Sequence, residues 1–382
     1  MHVGFALLTL FPGRVGGSET MVRGLLSEFA DGRGPERVTV LANRQVAAAY
    51  GEYARGAVGL HEVRSYRAGD RDLTRALAMA TARLLPRRAA RDVPAGLQVV
   101  HYPVTVPIPV TAAPRVVTLY DVQHHDLRAF FSRAERAYRR WAYDGAARRA
   151  AVVVATSEFT KGRIVDLLGL PPARVEVVHL GIDQRLFTPD GTDALPGAPA
   201  GPFVVYPANL WPHKNHARLI EALGRARESE LSLVLTGQPY GRLEGLLERA
   251  RRLGLRHRVR HLGHLSADAM PVLYRRARAM VFPSLYEGFG APPLEAMACG
   301  CPVAASDRGS LPEVCGDAAL PFDAESVEGI AESIDRVVSD GPLRRRLRDA
   351  GLRRARSFTW GAAADRHRSI YARAAATRSQ GP

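Results

Sequence analysis

The sequence predicts an α/β protein built from two doubly wound domains with parallel sheets. Short runs of valine, leucine and isoleucine alternate with segments of helical periodicity, which is typical of parallel strands covered by helices on both faces. The alternation stops in a segment rich in proline and glycine, residues 188–202, and then starts again. The 382 residues also exceed the roughly 250–300 at which a single core stops growing. Two Rossmann-like domains joined by a linker are therefore expected.

The first predicted domain occupies residues 1–187. Its candidate strands are HVGFALLTL, RVTVLA, LQVVHYP, RVVTLYD, ARRAAVVVATS and RVEVVHLG, and its clearest helices are TMVRGLLSEFA and EFTKGRIVDLLG. Residues 203–360 repeat the pattern with FVVYPAN, LSLVLTG, VRHLG, AMVFPS and PVAAS as strands. A helical stretch, residues 361–382, follows Trp360 and is expected to pack back on the first domain. Because open parallel sheets bind ligands at the carboxyl ends of their strands, we expect a site in the cleft between the domains.

The composition is that of a soluble globular enzyme. Hydrophobic residues make up 46% and charged residues 24% of the chain, which excludes fibrous and disordered classes. The formal net charge of +15 favours anionic partners such as nucleotides or lipid phosphates. Only Lys161 and Lys214 among the 53 basic residues are lysine, so a GC-rich genome explains the charge equally well. A nucleic-acid-binding protein is the rival class, but it would cluster basic and aromatic residues, whereas here the charge is even and aromatic residues are 7%.

Cysteine content and hydropathy bear on the compartment. Three cysteines are too few for a disulfide framework and favour a reducing, cytoplasmic location, with Cys299 and Cys301 buried as packing residues. Neither a signal peptide nor an apolar run of about 18 residues is recognisable. Residues 74–92 have the pattern of a basic amphipathic helix. That helix has two interpretations: an ordinary packed helix with a solvated arginine face, or a peripheral contact with the inner face of a membrane.

Two glycines follow the first predicted strand in LFPGRVGGSETMVRGLL. Gly16 and Gly17 precede a helix for which Ser18 is the candidate N-cap, and a glycine pair at this place lets backbone amides approach an anion. The spacing is not G-x-G-x-x-G, so the usual dinucleotide fingerprint is absent. A plain tight turn is an equal alternative.

A lysine stands at the corresponding position of the second domain. The stretch VVYPANLWPHKNHARLIEAL places Lys214 in a loop between a strand and a helix, beside Asn209, His213 and Asn215. An ammonium group at the carboxyl end of a strand suits a diphosphate. In a chain with so few lysines, this position favours a functional residue over a solvated surface lysine.

Two glutamates flank a run of glycine and proline in PSLYEGFGAPPLEAMACGCPV. Pro292 and Pro293 suit the first turn of a helix that ends at Gly300, which puts Glu295 in the first turn and Glu287 before it, at the end of a strand. Two carboxylates can accept hydrogen bonds from sugar hydroxyls, and the backbone amides between them can donate to a phosphate. This combination fits a sugar nucleotide. One alternative is a surface glutamate with a second one that complements the helix dipole. Another is the acid and base pair of a glycoside hydrolase.

These segments resemble the retaining glycosyltransferases of family 4, which have the GT-B fold, and the resemblance covers nearly the whole chain. Its most specific part is EGFGAPPLEAMACGCPV, which is similar to the E-x7-E signature of that family, together with GSLPEVCGDAAL. The stretches YPANLWPHKNH and DVQHHDLRAFFSRAERAYRRW resemble the mannosyltransferase branch most. The resemblance implies transfer of a hexose from a nucleotide-diphosphate sugar, GDP-mannose by preference, without a metal or other cofactor.

The resemblance also implies a role for each matching residue. Glu287 would contact hydroxyls of the donor sugar, Glu295 would bind the ribose, and Lys214 would hold the diphosphate. The other donor-binding residues implied are Gly16, Gly17, Asn209, His264, Leu265, Gly288, Phe289, Gly290, Ala291 and Leu294.

The chain departs from the family pattern at two places. Many relatives pair the lysine with an arginine where this chain has Asn209, so another group must serve as the second phosphate clamp. Many have His-Asp where this chain has Tyr120 and Asp121, which leaves the acceptor-side role open. The expected catalytic residues are therefore Glu287, Lys214, Asp121 and His124, with Tyr120 and His125 expected to bind the acceptor.

Metal use is not expected. The D-x-D pair, Asp70 and Asp72, precedes a predicted helix and is interpreted as a loop with an N-cap. The acceptor is a saccharide, a lipid-linked saccharide or a natural product, and the sequence does not distinguish between them.

Overall fold

The computed structural model describes residues 1–13, 16–32, 34–66, 78–82, 84–191 and 197–377. The chain divides by its contacts into two compact units, Met1–Gly181 with Trp360–Pro382, and Ile182–Thr359. The second unit therefore begins before the predicted linker, since the backbone N–H of Ile182 donates to the Phe358 carbonyl. Asp70, Asp72, residues 74–77 and residue 83 of the basic segment, and residues 192–196 of the linker lie outside the described residues.

Within its described residues, the first unit contains a seven-stranded parallel sheet of order β3-β2-β1-β4-β5-β6-β7. Seven helical segments and the returning C-terminal helix accompany it. The strands are β1 His2–Ala6, β2 Arg37–Ala42, β3 Val58–Glu62, β4 Val99–Tyr102, β5 Arg115–Leu119, β6 Val152–Ala155 and β7 Val175–Val177. The helices are Gly17–Ala30, Arg44–Tyr50, Pro86–Ala89, Gln123–Asp126, Arg133–Arg139, Gly145–Arg148, Glu158–Leu168 and Trp360–Ala376, and residues 78–82 are also helical.

The described part of the second unit has a six-stranded parallel sheet of order β10-β9-β8-β11-β12-β13. Its strands are β8 Phe203–Pro207, β9 Ser232–Thr236, β10 Val259–His261, β11 Ala279–Phe282, β12 Val303–Ser306 and β13 Ala319–Phe322. Its helices are His216–Arg225, Leu243–Arg252, Ala269–Arg276, Ala291–Ala298, Leu311–Cys315, Val327–Ser339 and Gly341–Arg356. The predicted fold class, two doubly wound parallel-sheet domains, is confirmed.

Two strands that the sequence pattern missed, β3 and β13, each lie at an edge of a sheet. β3 (VGLHE) contains a glycine and ends in a glutamate, and β13 (ALPF) contains an exposed proline at position 321. Edge strands face solvent along one side, so they tolerate polar residues and proline and lack a continuous apolar run.

Strand order reverses beside the first strand of each sheet, between β1 and β4 in the first unit and between β8 and β11 in the second. In open parallel sheets, ligands bind at the carboxyl ends of the strands on either side of such a reversal. The loops after β8 and β11 are therefore where a site is expected in the second unit.

The helices of the second unit form two layers. His216–Arg225 packs on Leu243–Arg252 and Val327–Ser339, whereas Ala291–Ala298 packs on Ala269–Arg276 and Gly341–Arg356. Right-handed crossovers in opposite directions from the reversal point place these two sets on opposite faces of the sheet.

The C-terminal helix, Trp360–Ala376, packs on the first unit against the helix Gly17–Ala30. His101 of β4 bonds the Tyr371 hydroxyl through Nδ1 at 2.7 Å. Gly24 allows the two helices to approach closely, since a Cβ there would lie 2.2 Å from the Trp360 ring. Burial lowers the pKa of His367 in this helix to about 4.

The three cysteines are free and buried, as expected of packing residues. None of the helices among the described residues combines the length and the apolarity that crossing a membrane requires.

Candidate active site

The second sheet brings Lys214 and Glu287 together where its strand order reverses. Lys214 ends a 3-10 turn (Pro212–Lys214) after β8, and Glu287 lies in the loop after β11. The Lys214 Nζ donates to Glu287 Oε1 at 2.6 Å. Their side chains are 17% and 11% exposed, so the pair is largely shielded yet open to solvent at one side. Partial burial lowers the local dielectric constant, which strengthens the attraction between the ammonium and the carboxylate. This attraction holds both side chains in fixed positions.

Tyr206, a buried residue of β8, positions the Lys214 loop. Its hydroxyl donates to the Lys214 carbonyl at 2.8 Å and bonds the Ser284 hydroxyl at 2.9 Å. Burial, with a smaller contribution from the charge of Glu287, raises the pKa of Tyr206 well above its ordinary value, so the hydroxyl stays a donor. One buried side chain thus connects the loop after β8 with the loop after β11.

Asn215 fixes the same loop from its other end. It is buried in the left-handed conformation with φ 63°, which asparagine adopts more readily than most residues. Its Nδ2 donates to the carbonyls of Pro283 and Ala324 at 3.1 and 2.7 Å. Because these carbonyls belong to other loops, the ammonium next to Asn215 is held by tertiary contacts.

Gly309 and Ser310 hold the backbone of Glu287. Gly309 has φ 64°, and a Cβ there would lie 2.9 Å from both N and O of Glu287. The Ser310 hydroxyl donates to the carbonyls of Glu287 and Phe289 at 3.1 and 2.7 Å. The segment GSLPEVC, which follows β12, therefore supports the glutamate loop.

The second glutamate, Glu295, lies deeper in the helix than predicted. The helix begins at Ala291, with Gly290 as a left-handed N-cap at φ 91°, and ends at Ala298. Glu295 is thus its fifth residue, and the prediction that it lies in the first turn is wrong. The helix begins one residue before Pro292, which moves Glu295 into the second turn.

Glu295 is bonded to a tyrosine of the neighbouring helix. Its Oε2 accepts a hydrogen bond from the Tyr274 hydroxyl at 3.0 Å. Burial raises the pKa of Glu295 to about 7, although the Tyr274 bond opposes this. The carboxyl therefore titrates in the neutral range.

Apart from Gly16 and Gly17 of the first unit, the other residues predicted to bind the donor follow strands of the second sheet. His264 and Leu265 follow β10, and Gly288 to Gly290 connect Glu287 to the helix Ala291–Ala298. The side chains of Leu294 and Phe289 are buried, so a ligand would meet their backbone only.

Asn209, which stands where relatives carry an arginine, has a structural partner. Its Oδ1 accepts from the backbone N–H of Gln238 at 2.8 Å, in the loop after β9. The residue thus joins two loops, and the second cationic clamp expected from the resemblance is absent at this position.

In the first unit, Gly16 is the N-cap of the helix Gly17–Ala30, with φ 60°, and the prediction of Ser18 as N-cap is wrong. The helix starts earlier, with no side-chain cap among the described residues, and Glu19 in its first turn accepts a hydrogen bond from the Gly13 N–H of the preceding loop at 2.7 Å. A Cβ at Gly16 or Gly17 would meet nothing within 4 Å, so their surroundings are open.

Tyr120 and Asp121, at the end of β5, are engaged locally. The Tyr120 hydroxyl donates to the Pro103 carbonyl at 2.8 Å, and burial raises its pKa far above the ordinary value. Asp121 accepts from the backbone and side-chain N–H groups of Gln123 at 3.1 and 2.9 Å. These contacts assign both side chains a structural task, and their acceptor-side roles stay predictions.

His124 and His125 share one carboxylate that the sequence analysis did not single out. Their Nε2 atoms bond Asp144 Oδ1 and Oδ2 at 2.9 and 2.8 Å. Asp144 ends a π-helical turn, Arg140–Asp144, which directs it inward. Burial alone would raise the pKa of Asp144, but the two imidazole hydrogen bonds hold it below its ordinary value.

Among the residues that the structure describes, His124, His125 and Asp144 form a group of metal-ligand type, with ligand atoms within 4.8 Å of one another. Both imidazoles already bond the carboxylate, which accounts for the cluster without an ion. A surface depression of 520 Å³ adjoins His125, lined by apolar side chains and by Arg128 and Arg163.

The residues that sequence reasoning missed are Asp144, Tyr206, Tyr274 and Ser310. Only Asp144 had a usable signal, since it is the single acidic residue between positions 136 and 157. The Tyr206 hydroxyl bonds Ser284, 78 positions away, and the Tyr274 hydroxyl bonds Glu295, 21 positions away, and no local pattern reveals such pairs.

Two family profiles match separate parts of the chain. Residues 15–186 match "Glycosyltransferase Family 4", and residues 196–354 match "Glycosyl transferases group 1". The two regions correspond to most of the first and second units.

Curated relatives match over about half of their length. O-antigen chain mannosyltransferase B of Escherichia coli is 33% identical over 223 residues, which cover 55% of this chain and 58% of the relative. A D-inositol 3-phosphate glycosyltransferase of Salinispora tropica is 32% identical over 230 residues, covering 54% and 48%.

Solved structures share the fold over the whole chain. Sucrose-phosphate synthase of Thermosynechococcus elongatus has a TM-score of 0.79 at 20% identity and covers 99% of this chain and 100% of its own. Anabaena HepE, solved with UDP and glucose, has a TM-score of 0.73 at 18% identity, covering 97% and 99%.

Proposed function

Because the chain belongs to the GT4-type glycosyltransferases, we propose that it transfers a hexose from a nucleotide-diphosphate sugar to an acceptor hydroxyl, with retention of configuration. The acceptor is a saccharide, a lipid-linked saccharide or a natural product. A cytoplasmic location, expected from the free cysteines, belongs to the same proposal.

The observation that carries this proposal is the Lys214–Glu287 pair at the reversal point of the second sheet. A cation suits the anionic diphosphate of a sugar nucleotide, and a neighbouring carboxylate can accept hydrogen bonds from the sugar hydroxyls. Lys214 binds the diphosphate and Glu287 binds hydroxyls of the transferred sugar. Glu295 accepts the ribose hydroxyls next to Tyr274.

Glycosyl transfer builds positive charge on the sugar and negative charge on the departing diphosphate. Lys214 stabilises that negative charge, and its position is set before the donor arrives because Glu287, Tyr206 and Asn215 already hold it. Preorganised charge of this kind is often the largest single contribution to catalysis. Glu287 orients the sugar, so that its role is binding and alignment.

GDP-mannose is the proposed donor. Support comes from the two stretches that resemble the mannosyltransferase branch and from relatives whose names state mannosyl transfer. The reaction is proposed to need no metal, with Lys214 and backbone amides supplying the charge stabilisation.

The direct test is nucleotide binding followed by transfer. Isothermal titration of the full chain with GDP, UDP and ADP is expected to give one site that prefers GDP, with and without EDTA. GDP-mannose is then offered with a panel of saccharide acceptors, and products are read by mass spectrometry. Failure of every nucleotide to bind would refute the proposal.

The same assay separates the hydrolase alternative. A glycoside hydrolase would release free hexose from a glycoside in the absence of nucleotide, whereas the proposed transferase forms product only from the nucleotide sugar.

A further inference from the structure

Two exposed aromatic rings stack at the carboxyl edge of the second sheet. Trp211 and Tyr240 have ring centroids 4.3 Å apart and planes inclined by 23°. They remain 40% and 47% exposed, whereas most large apolar side chains of this unit are buried. We call this pair the aromatic platform. Two stacked rings that remain exposed offer a flat apolar face to a ligand.

The loops that carry the platform are bonded to each other. The backbone N–H of Leu210 donates to the Gln238 carbonyl at 3.0 Å, and Asn209 Oδ1 accepts from the Gln238 N–H at 2.8 Å. Gly237 has φ 118°, and a Cβ there would lie 2.6 Å from the Ala208 carbonyl oxygen. The departure of Asn209 from the family pattern therefore contributes to the support under the rings.

Tyr240 is held in an uncommon backbone conformation. Its φ is 44°, one of only three positive values at non-glycine positions among the described residues. A bulky residue in this region is strained, and such strain is concentrated at ligand-binding sites. The bonded loops hold Tyr240 in this conformation against its strain, which keeps the second ring of the stack in place.

The platform lies beside the proposed diphosphate site, but not beside the proposed ribose site. The Lys214 N–H donates to the Trp211 carbonyl at 3.0 Å, so the indole and the ammonium belong to one turn. The loops of Trp211 and Tyr240 lead into one helix layer, whereas Tyr274 and Glu295 belong to the layer on the opposite face of the sheet. A base attached to a ribose at Glu295 would lie on the side away from the platform.

We propose that the aromatic platform is a saccharide subsite that stacks the C–H face of a pyranose ring of the acceptor. This inference rests on the proposed function, because it assigns the acceptor to the class of saccharides. Rigid aromatic side chains provide large contact area at low cost in conformational entropy, and their faces suit apolar C–H groups. A nucleobase is the other flat ring of suitable size.

The test uses the full chain saturated with GDP and, as probes, the methyl pyranosides of mannose, glucose and galactose. Saturation-transfer NMR reports contact with the sugar C–H protons. Trp211→Ala and Tyr240→Ala are compared with Tyr240→Phe, which keeps the ring, and with Trp141→Ala, an exposed tryptophan of the first unit. Circular dichroism and melting curves check that each variant is folded, and GDP affinity is measured for each.

We expect at least one pyranoside to bind, with affinity about tenfold weaker in the two alanine variants, as for the loss of an aromatic contact. Tyr240→Phe and Trp141→Ala should bind it like the wild type, and GDP affinity should stay unchanged throughout. Sugar binding that survives both alanine variants, or no sugar binding to the GDP-loaded protein, would overturn the inference. Weaker GDP binding in both alanine variants would assign the platform to the base. Absence of GDP and UDP binding to the wild type would instead refute the proposed function.

Discussion

Polar side chains at the carboxyl ends of the strands are used differently in the two units. In the second unit, Lys214 and Glu287 bond each other and retain access to solvent. In the first unit, His124 and His125 are bonded to the buried carboxylate of Asp144. The first arrangement is a pair of opposite charges at the ends of β8 and β11, whereas the second is a buried carboxylate held between two imidazoles. The Lys214 ammonium has three N–H donors and gives one of them to Glu287, whereas Asp144 binds both imidazoles and His124 Nδ1 is buried without a partner among the described residues.

The strongest test of this contrast removes the ammonium group. Lys214→Ala should lower kcat about 10²- to 10³-fold, because leaving-group charge loses its stabilising cation. Lys161→Ala, at the other lysine of the chain, is the matched control and should retain activity. Steady-state kinetics with GDP-mannose measure the effect, and a change below threefold in Lys214→Ala would remove the catalytic role.

The second test addresses the cluster of His124, His125 and Asp144. Asp144→Asn should destabilise the protein by about 1–3 kcal/mol, because a buried imidazole loses its carboxylate partner. GDP affinity should not change, since the nucleotide is proposed to bind at Lys214 and Glu295 and not at this cluster. Asp166→Asn, an exposed acid of that unit, should stay within about 0.5 kcal/mol of the wild type. Chemical denaturation and titration measure both quantities, and a stable Asp144→Asn protein with weakened GDP binding would reverse the contrast.

The third test uses the pKa of Glu295. With a value of about 7, the carboxylate form increases as pH rises from 6 to 8. A carboxylate accepts two ribose hydroxyls and a protonated acid does not, so GDP affinity should increase about tenfold over this range. The terminal phosphate of GDP also titrates near pH 6, so the measured affinity contains a pH dependence that does not come from Glu295.

Glu295→Gln provides the baseline for that titration, because it keeps the shape and removes the ionisation. Tyr274→Phe removes the hydrogen bond that lowers the pKa, so its pH dependence should move to higher pH. Identical profiles for Glu295→Gln and the wild type would exclude the carboxylate from nucleotide binding.

The smallest expected effect concerns the support of Glu287. Gly309→Ala introduces a Cβ against the Glu287 backbone, whereas Gly254→Ala has a similar φ of 71° with nothing within 4 Å. Both substitutions carry the strain of a left-handed residue, about 1 kcal/mol. Only Gly309→Ala should also raise the KM for GDP-mannose. Equal KM values in the two variants would show that Glu287 does not depend on this contact.

The sequence predicted the fold more completely than the bonds within the sites. Central strands were recognisable because they are buried on both faces, and the edge strands β3 and β13 were not, because neither is a continuous apolar run. Glu287 and Lys214 were predicted from local pattern to bind the donor and lie together in the structure, but their neighbour Tyr206, as well as Asp144 and Tyr274, was not predicted. One helix start was displaced by two positions, from the predicted N-cap Ser18 to Gly16, a glycine with φ 60°.

By itself, the sequence determined the order of the central strands and their helices and the loop positions of Lys214 and Glu287, because periodicity and loop composition are local properties. The tertiary structure decided which polar groups remain available to a ligand. Lys214 and Glu287 are 73 positions apart, so this pair forms only when β8 and β11 lie side by side. His124 and Asp144 are 20 positions apart and meet when the helical segments between β5 and β6 pack together. Whether a side chain is open to a ligand or already bonded follows from that assembly.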